Sequence, residues 1–369
     1  MVLHVGFETQ ERAENMQDAR NLPTEGTTPT DVRALTHGQL SEALADLGQP
    51  PFRVRQIEEW VWEKGATSFD DMTNLPKPLR ARLSELFSLG GITQVARQVS
   101  EDGTRKYLLR YADGTDIECV GMPTGSKLAV CVSSQAGCAM GCAFCATGAL
   151  GLTRSLDAVE IYDQVMHVRK DFGTRVTSVV LMGQGEPFMN YDASLAAMRM
   201  LNAPEGLGIG ARHITISTCG IIPAIRRFSN EPEQFTLAVS LHSAVQRTRN
   251  ALMPGVRKYS LQHLYEVMGE YVDRTGRRPT YEYALIRGVN DTEDELGALC
   301  AFCQDNLAHV NIIRLNEVKG SRFQPSSDAR AGEFVRRLAN VGVEATIRQP
   351  RGADIDAACG QLRQRASKR

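Results

Sequence analysis

From Lys127 onward, short β-branched runs alternate with stretches whose apolar residues recur at helical spacing. That alternation constrains the fold more than any other feature of the 369 residues. The strand-like runs are LAVCVS, VTSVVLM, HITIS, FTLAVSL, TYEYALI and VNIIRL, with a last short run EATIR. Strands separated by helices pair in parallel, because each helical crossover returns the chain to the same end of the sheet. Six strand-helix units therefore predict an α/β domain built on a parallel sheet, either open and doubly wound or curved into a partial barrel. In such barrels the working residues collect on loops at the C-terminal ends of the strands. The unusual residues of this chain fall at those ends. A cysteine-rich stretch follows the first strand and GQGEP (183–187) the second; Ser217 lies in the third, Ser240 and His242 follow the fourth, and Asn316 follows the sixth.

Upstream the pattern changes twice. Leu40, Leu44 and Leu47, then Val54, Ile57, Trp60 and Val61, then Leu79, Leu83, Leu86 and Phe87 repeat at helix spacing, which predicts a small helical domain over residues 36–98. KYLLRYADGTDIECVGM alternates apolar and polar residues around Asp113-Gly114, the signature of a β-hairpin, and predicts a hairpin linker over 99–125. The sheet domain then spans 126–350 and a C-terminal segment 351–369, while residues 1–35, with scattered Thr, Pro and Gly and no apolar periodicity, read as a mobile tail.

No run approaches the eighteen uninterrupted apolar residues of a membrane helix, and the N-terminus lacks a charged-then-apolar secretory pattern; a cytoplasmic protein with no membrane partner is expected. A formal net charge of −1 carries no global nucleic-acid signature, so any RNA contact rests on local patches. One candidate patch is Arg53, Arg55, Lys77, Arg80 and Arg82 beside Trp60 and Trp62, although residues 36–88 hold eight acids against six bases.

The nine cysteines are odd in number and clustered, which suits metal binding or reactivity in a reducing compartment better than a disulfide framework. Cys138, Cys142 and Cys145 form CxxxCxxC. Three thiolates can hold three irons of a 4Fe-4S cluster and leave the fourth iron open to the amine and carboxylate of S-adenosylmethionine. Three cysteines with one further ligand could instead bind structural zinc, and the same spacing could place three small residues on one helix face. GQGEP is turn punctuation in which Glu186 could accept a hydrogen bond from an α-ammonium, and His242 could be a buried, satisfied polar group. Cys300 and Cys303 share a helical face with leucines and Phe302 and read as core.

CAMGCAFC, GQGEP, the SLH of 240–242 and above all RGADIDAACGQL (351–362) resemble the radical S-adenosylmethionine RNA adenine methyltransferases of the RlmN and Cfr group, from about Thr36 to Arg365. The stretch RQIEEWVWEKGATSFDDMTNLPK looks like that family's N-terminal RNA-binding domain. The resemblance implies a partial (β/α)6 radical-SAM barrel carrying one 4Fe-4S cluster on Cys138, Cys142 and Cys145. It implies methylation of carbon 2 of an adenine in 23S rRNA and in tRNA next to the anticodon, consuming two S-adenosylmethionines per methylation, with electrons from a flavodoxin or ferredoxin.

Carbon 2 of adenine lies between two nitrogens and is electron-poor, so polar alkylation fails and a carbon radical is the reasonable route. By resemblance, Cys359 carries the methyl group, Glu118 accepts the ring proton, and Cys131 attacks the Cys359 sulfur, leaving a transient disulfide. Gly185, Glu186, Ser217, Ser240, Leu241, His242 and Asn316 match cofactor-binding positions. Two departures are Gln184, where methionine is usual, and Glu317-Val318-Lys319, where prolines are. Neither is expected to touch a catalytic group, and Cys119 and Cys219 match no role. The Cfr branch, acting on carbon 8, and a non-catalytic zinc- or cluster-binding RNA module are the competing functions.

Overall fold

The computed structural model describes residues 29–204, 206–305, 307–316 and 321–362. Residues 1–28 of the expected tail, the Glu317-Val318-Lys319 departure and the end of the chain beyond Leu362 lie outside them. The chain divides into two compact units, Met1–Gly91 and Ile92–Arg369.

In the first unit a short parallel pair, β1 (Thr30–Asp31) and β2 (Phe87–Ser88), brackets the helices. The helix His37–Asp46 starts at a capping box between Thr36 and Gln39, each side chain closing on the other's backbone; such caps contribute ~1 kcal/mol by satisfying N–H groups the first turn leaves open. Phe52–Glu58 runs on into a π turn, Glu59–Glu63, and Lys77–Leu86 has a proline in its first turn. Leu40, Leu44, Val54, Ile57, Leu79 and Leu83 form the core of this unit, with Leu47 and Trp60 half-buried beside it. Burying each such side chain contributes roughly 1.5–3 kcal/mol, which makes their helical spacing the organising signal.

The second unit holds a ten-stranded sheet. It opens with an antiparallel meander of β3 (Ile92–Val99), β4 (Arg105–Tyr111), β5 (Asp116–Thr124) and β6 (Lys127–Cys131). The expected hairpin is β4 and β5, turning at Asp113-Gly114 with the Thr115 N–H on the Asp113 carboxylate at 2.8 Å. A small antiparallel pair, β7 (Gln135–Gly137) and β8 (Leu152–Ser155), flanks the cysteine loop. Six parallel strands then follow β6: β9 (Ser178–Leu181), β10 (Ile214–Thr218), β11 (Thr236–Ser240), β12 (Thr280–Leu285), β13 (His309–Arg314) and β14 (Glu344–Arg348). Helices cross over between successive strands, among them Ala158–Phe172, Tyr191–Asn202 and Leu261–Thr275. The strand order follows the sequence from β3 at one edge to β14 at the other, so the sheet is open. Parallel registers such as Cys131 with Val180, Ser240 with Glu282 and Ile313 with Arg348 bring the strands' C-terminal ends to one edge.

The boundary expected at residue 98 differs from the structure, because β3 joins the large sheet. No residue of β3 is fully buried; it is an edge strand of Thr, Gln and Arg among apolar residues, so the alternation that marks a half-buried strand is weak. Among the described residues, no helix is long and apolar enough to cross a membrane.

Candidate active site

The segment from Cys138 to Leu150 is a chain of turns rather than a helix, which removes the helix-face reading of the CxxxCxxC spacing. Backbone bonds pin it on several sides. Cys138 donates to Gly151 O at 2.8 Å, Ala143 to Leu252 O at 2.9 Å and Cys145 to Cys142 O at 3.0 Å. The C-terminal segment is joined to it as well, because Ala146 donates to Gly360 O at 2.8 Å and the Thr147 hydroxyl to Leu362 O at 2.8 Å.

This loop walls a cavity of about 200 Å³. Cys131, Cys138, Cys142, Cys145 and Cys359 all line it. So do Gly185, Glu186, Ser217, Ser240, His242 and Asn316, contributed by the ends of successive parallel strands. Two expected site residues do not. Leu241 is buried, giving its N–H to Glu282 O at 3.0 Å, and Glu118 is buried on β5 with its carboxylate 3.5 Å from the Lys106 ammonium.

Burial pushes the Cys138 thiol up to about 12, with the neighbouring Cys142 and Cys145 adding to the rise, and burial likewise raises Cys145. Sulfurs near enough to repel one another as thiolates suit a cationic metal centre, which would displace their protons and neutralise the charge. Among the described residues no three His, Cys, Asp or Glu side chains are grouped to hold a single metal ion. An iron-sulfur cubane makes a different demand, since each thiolate takes its own iron.

Each turn of the rim has a local cause. Gly185 has φ +101°, and a Cβ there would lie 2.7 Å from the Gln135 side chain, so only glycine closes this turn. Glu186 is buried and accepts from the backbone N–H groups of Phe188 at 3.0 Å and Cys219 at 2.7 Å; burial raises its pKa against those bonds. Gln184, expected to touch no catalytic group, takes the Glu118 backbone N–H on its side-chain oxygen at 3.3 Å. A glutamine reaches this amide because the turn after β9 packs beside β5, a contact the sequence separation conceals. His242 has φ +55°, accepts the Ala284 N–H on Nδ1 at 2.9 Å and packs edge-on against Phe144. Burial, then Arg249, lowers its pKa to about 3, so the ring is neutral.

Three residues at the cavity carried no role in the sequence. Cys219 lines it, and a hydrogen bond with Cys142 together with burial holds its thiol well above the usual range. Glu282 and Arg348 line it from β12 and β14, 3.7 Å apart, and Arg348 also reaches the Met182 sulfur at 3.5 Å. Their only sequence signal is a charge within or ending a short strand, as in TYEYALI and EATIR. Cys300 and Cys303 are buried in the helix Glu293–Gln304, beside Leu296 and Leu299, as expected of core residues.

In the N-terminal unit three of the five cations beside the tryptophans have partners. Arg53 donates to Gln56 at 2.7 Å, Arg80 to Asp70 O at 2.7 Å and Arg82 pairs with Glu85 at 2.6 Å, while the Trp60 N–H is held by Asn74 and Lys64 covers its ring.

The Radical SAM superfamily matches residues 132–306, and the Ribosomal RNA large subunit methyltransferase N-terminal domain matches residues 30–89. The chain is 43% identical over 335 residues to a probable dual-specificity RNA methyltransferase RlmN of Clostridium perfringens, covering 90% of this chain and 96% of that one. The chain belongs to the RlmN family of radical S-adenosylmethionine RNA methyltransferases. A probable RlmN of Geobacillus kaustophilus is 44% identical over 91% of this chain and 93% of its own length. The crystal structure of a radical SAM methyltransferase from Sphaerobacter thermophilus superposes with a TM-score of 0.88 at 44% identity, covering 91% of this chain and all of that one. The expected α/β radical-SAM fold, with a small N-terminal helical unit, is therefore the fold of the protein. Membership carries the expected cofactors, a 4Fe-4S cluster and S-adenosylmethionine, two of which the family uses.

Proposed function

We propose that this protein methylates carbon 2 of an adenine in 23S rRNA and in tRNA next to the anticodon, through a methyl group carried on Cys359. The observation that carries the reading is that Cys359, from the far end of the chain, lines the same cavity as Cys138, Cys142 and Cys145 and as Cys131. Bound at the three cysteines, the cluster with S-adenosylmethionine supplies a methyl group and a 5′-deoxyadenosyl radical.

The chain's own groups do the rest. Cys359 is exposed and its sulfur is a soft nucleophile suited to accept a methyl group. Once that carbon is joined to the adenine ring, the one-electron couple that feeds the reaction takes back the adduct's unpaired electron and Glu118 takes the ring proton, with the Lys106 ammonium 3.5 Å from its carboxylate. Cys131 then attacks the Cys359 sulfur, so that an S–S bond forms as the S–C bond breaks and the departing carbon takes a proton to become the methyl group of the released RNA. Gly185, Glu186, Ser217, Ser240 and His242 form the wall that would hold S-adenosylmethionine, with Leu241 fixing the backbone between the last two. Asn316 would serve the cofactor and the Cys359 loop together. Electrons come from a flavodoxin- or ferredoxin-type donor.

The test is incubation of the reconstituted protein with reductant, S-adenosylmethionine and unmodified ribosomal RNA or tRNA, followed by nucleoside mass spectrometry. The reading expects 2-methyladenosine in both. 8-Methyladenosine, or no methylated adenine, overturns it.

A further inference from the structure

We propose that Lys106 is a positioning residue that ties the loop carrying Cys359 to the Glu118 carboxylate, so that methyl carrier and proton acceptor are set against one another by a single ammonium group. The proposal rests on the reading of Glu118 and Cys359 given above. Lys106 lies on β4 and is buried, with its ammonium 3.5 Å from Glu118 Oε1 and donating to the carbonyl of Asp356 at 3.2 Å. Asp356 precedes Cys359 by three residues and has φ +53°, an uncommon conformation for a side chain that is not glycine. A carbonyl held in that strained turn by a buried cation has little freedom to move.

The turn that leads into β4 grips the loop at a second place. The turn between β3 and β4 presents the Ser100 hydroxyl to Asp354 at 2.5 Å and the Glu101 N–H to the same carboxylate at 3.3 Å. In return Gly352 donates to Asp102 at 3.3 Å. The contact is close-packed, because a Cβ on Gly352 would lie 2.8 Å from Ala357 Cβ and 2.9 Å from Thr104 Cγ2. The turn therefore fixes the beginning of the loop, and Lys106 alone among these contacts also reaches the proposed base.

Strand geometry explains why Lys106 can do this. It stands opposite Val120, while Glu118 stands opposite Leu108, so Lys106 and Glu118 lie diagonally on one face of the β4–β5 pair. Val120, on that face, packs with Cys131, Ala357 and Leu362. The C-terminal loop thus lies over the face from which Glu118 works. A buried ammonium aligns the neighbouring carboxylate, and another of its N–H groups spans to the loop.

The experiment compares full-length Lys106→Met, Lys106→Gln and Lys106→Arg with the wild type, after cluster reconstitution and incubation with unmodified RNA. Three quantities are read on each sample: iron content, methyl on Cys359 by peptide mass spectrometry, and the ratio of covalent protein-RNA adduct to released methylated RNA. Lys106→Met and Lys106→Gln should keep their iron and their methyl-Cys359 but raise that ratio about tenfold, as expected when proton acceptance and not methyl loading is impaired. Lys106→Arg, which keeps the charge, should restore most of the release. In a Glu118→Gln background Lys106→Met should add no further loss, since the two act as one unit. Wild-type ratios in the neutral variants, or full additivity with Glu118→Gln, overturn the proposal. Should Lys106→Met not fold, the Gln and Arg pair decides, and equal failure of both overturns it. A wild type that never carries methyl-Cys359 sinks the functional reading instead, whereas a methylated wild type matched by Lys106→Met sinks only this inference.

Discussion

The side-chain amide of Asn316, just past β13, donates to the carbonyl oxygen of Cys359 at 3.1 Å. It gives the loop carrying the methyl-accepting sulfur a further anchor, at the sulfur-bearing residue itself. Asn316→Ala removes a bond worth ~1 kcal/mol and should quicken amide exchange across residues 357–360. Methyl occupancy of Cys359 should fall with it. Hydrogen-exchange mass spectrometry that shows unchanged protection would place the loop under other control.

Cys138→Ala, Cys142→Ala and Cys145→Ala should each abolish cluster assembly, read as loss of the iron-dependent visible absorbance after anaerobic reconstitution. RNA methylation should disappear with the absorbance. A variant that keeps both removes its cysteine from the ligand set. One equivalent of zinc with no iron or sulfide would replace the cluster altogether.

Burial pushes the Cys131 thiol up to about 12, the Cys359 sulfur adds to the rise, and Arg348 pulls against both. Below that value each pH unit raises the thiolate fraction tenfold, so RNA release should quicken about tenfold per unit between about pH 6.5 and 8.5. Arg348→Met removes the opposing cation and should slow release about tenfold at each pH. Single-turnover quenching of the adduct gives the profile; a flat one contradicts a thiol nucleophile.

His242 is neutral in the fold because burial lowers its pKa from 6.5 to about 3. An unfolded chain binds a proton there below about pH 6.5 and the folded chain does not, so this stabilising contribution is complete above pH 6.5 and is lost as pH falls towards 3. By pH 5 the loss amounts to about 2 kcal/mol. His242→Asn, which tolerates φ +55° and does not titrate, should lose less melting temperature between pH 7 and 5 than the wild type. Parallel melts of equal slope would show that His242 titrates normally.

A residue's role is legible in the sequence where a local pattern records it. The parallel strands and the core of the N-terminal helices were legible because period-two and period-3.6 burial repeat within a single element. Strand β3 was not, since an edge strand buries so little that its apolar residues stand among polar ones. At the site, GQGEP and the cysteine spacing announce themselves, and RGADIDAACGQL is legible through resemblance. Gln184, Lys106, Glu282 and Arg348 are different. Each acts through a partner distant in sequence, at Glu118, Asp356 or the cavity wall, and no pattern along the chain records such a contact. Glu186 shows the limit from the other side, because its oxygens also hold the backbone of Phe188 and Cys219, so a residue matched for its cofactor also shapes the turn.

The central claim, that methyl passes to RNA through Cys359 and is freed by Cys131, is tested most directly by Cys131→Ala isolated from cells and run on a denaturing gel with and without ribonuclease. A thioether bridge does not hydrolyse, so without the attacking thiolate the protein should accumulate joined to RNA. The account predicts a slow-migrating band that collapses on ribonuclease treatment and is absent from Cys131→Ala combined with Cys359→Ala. A Cys131→Ala protein that carries no RNA and methylates it at the wild-type rate would contradict the account.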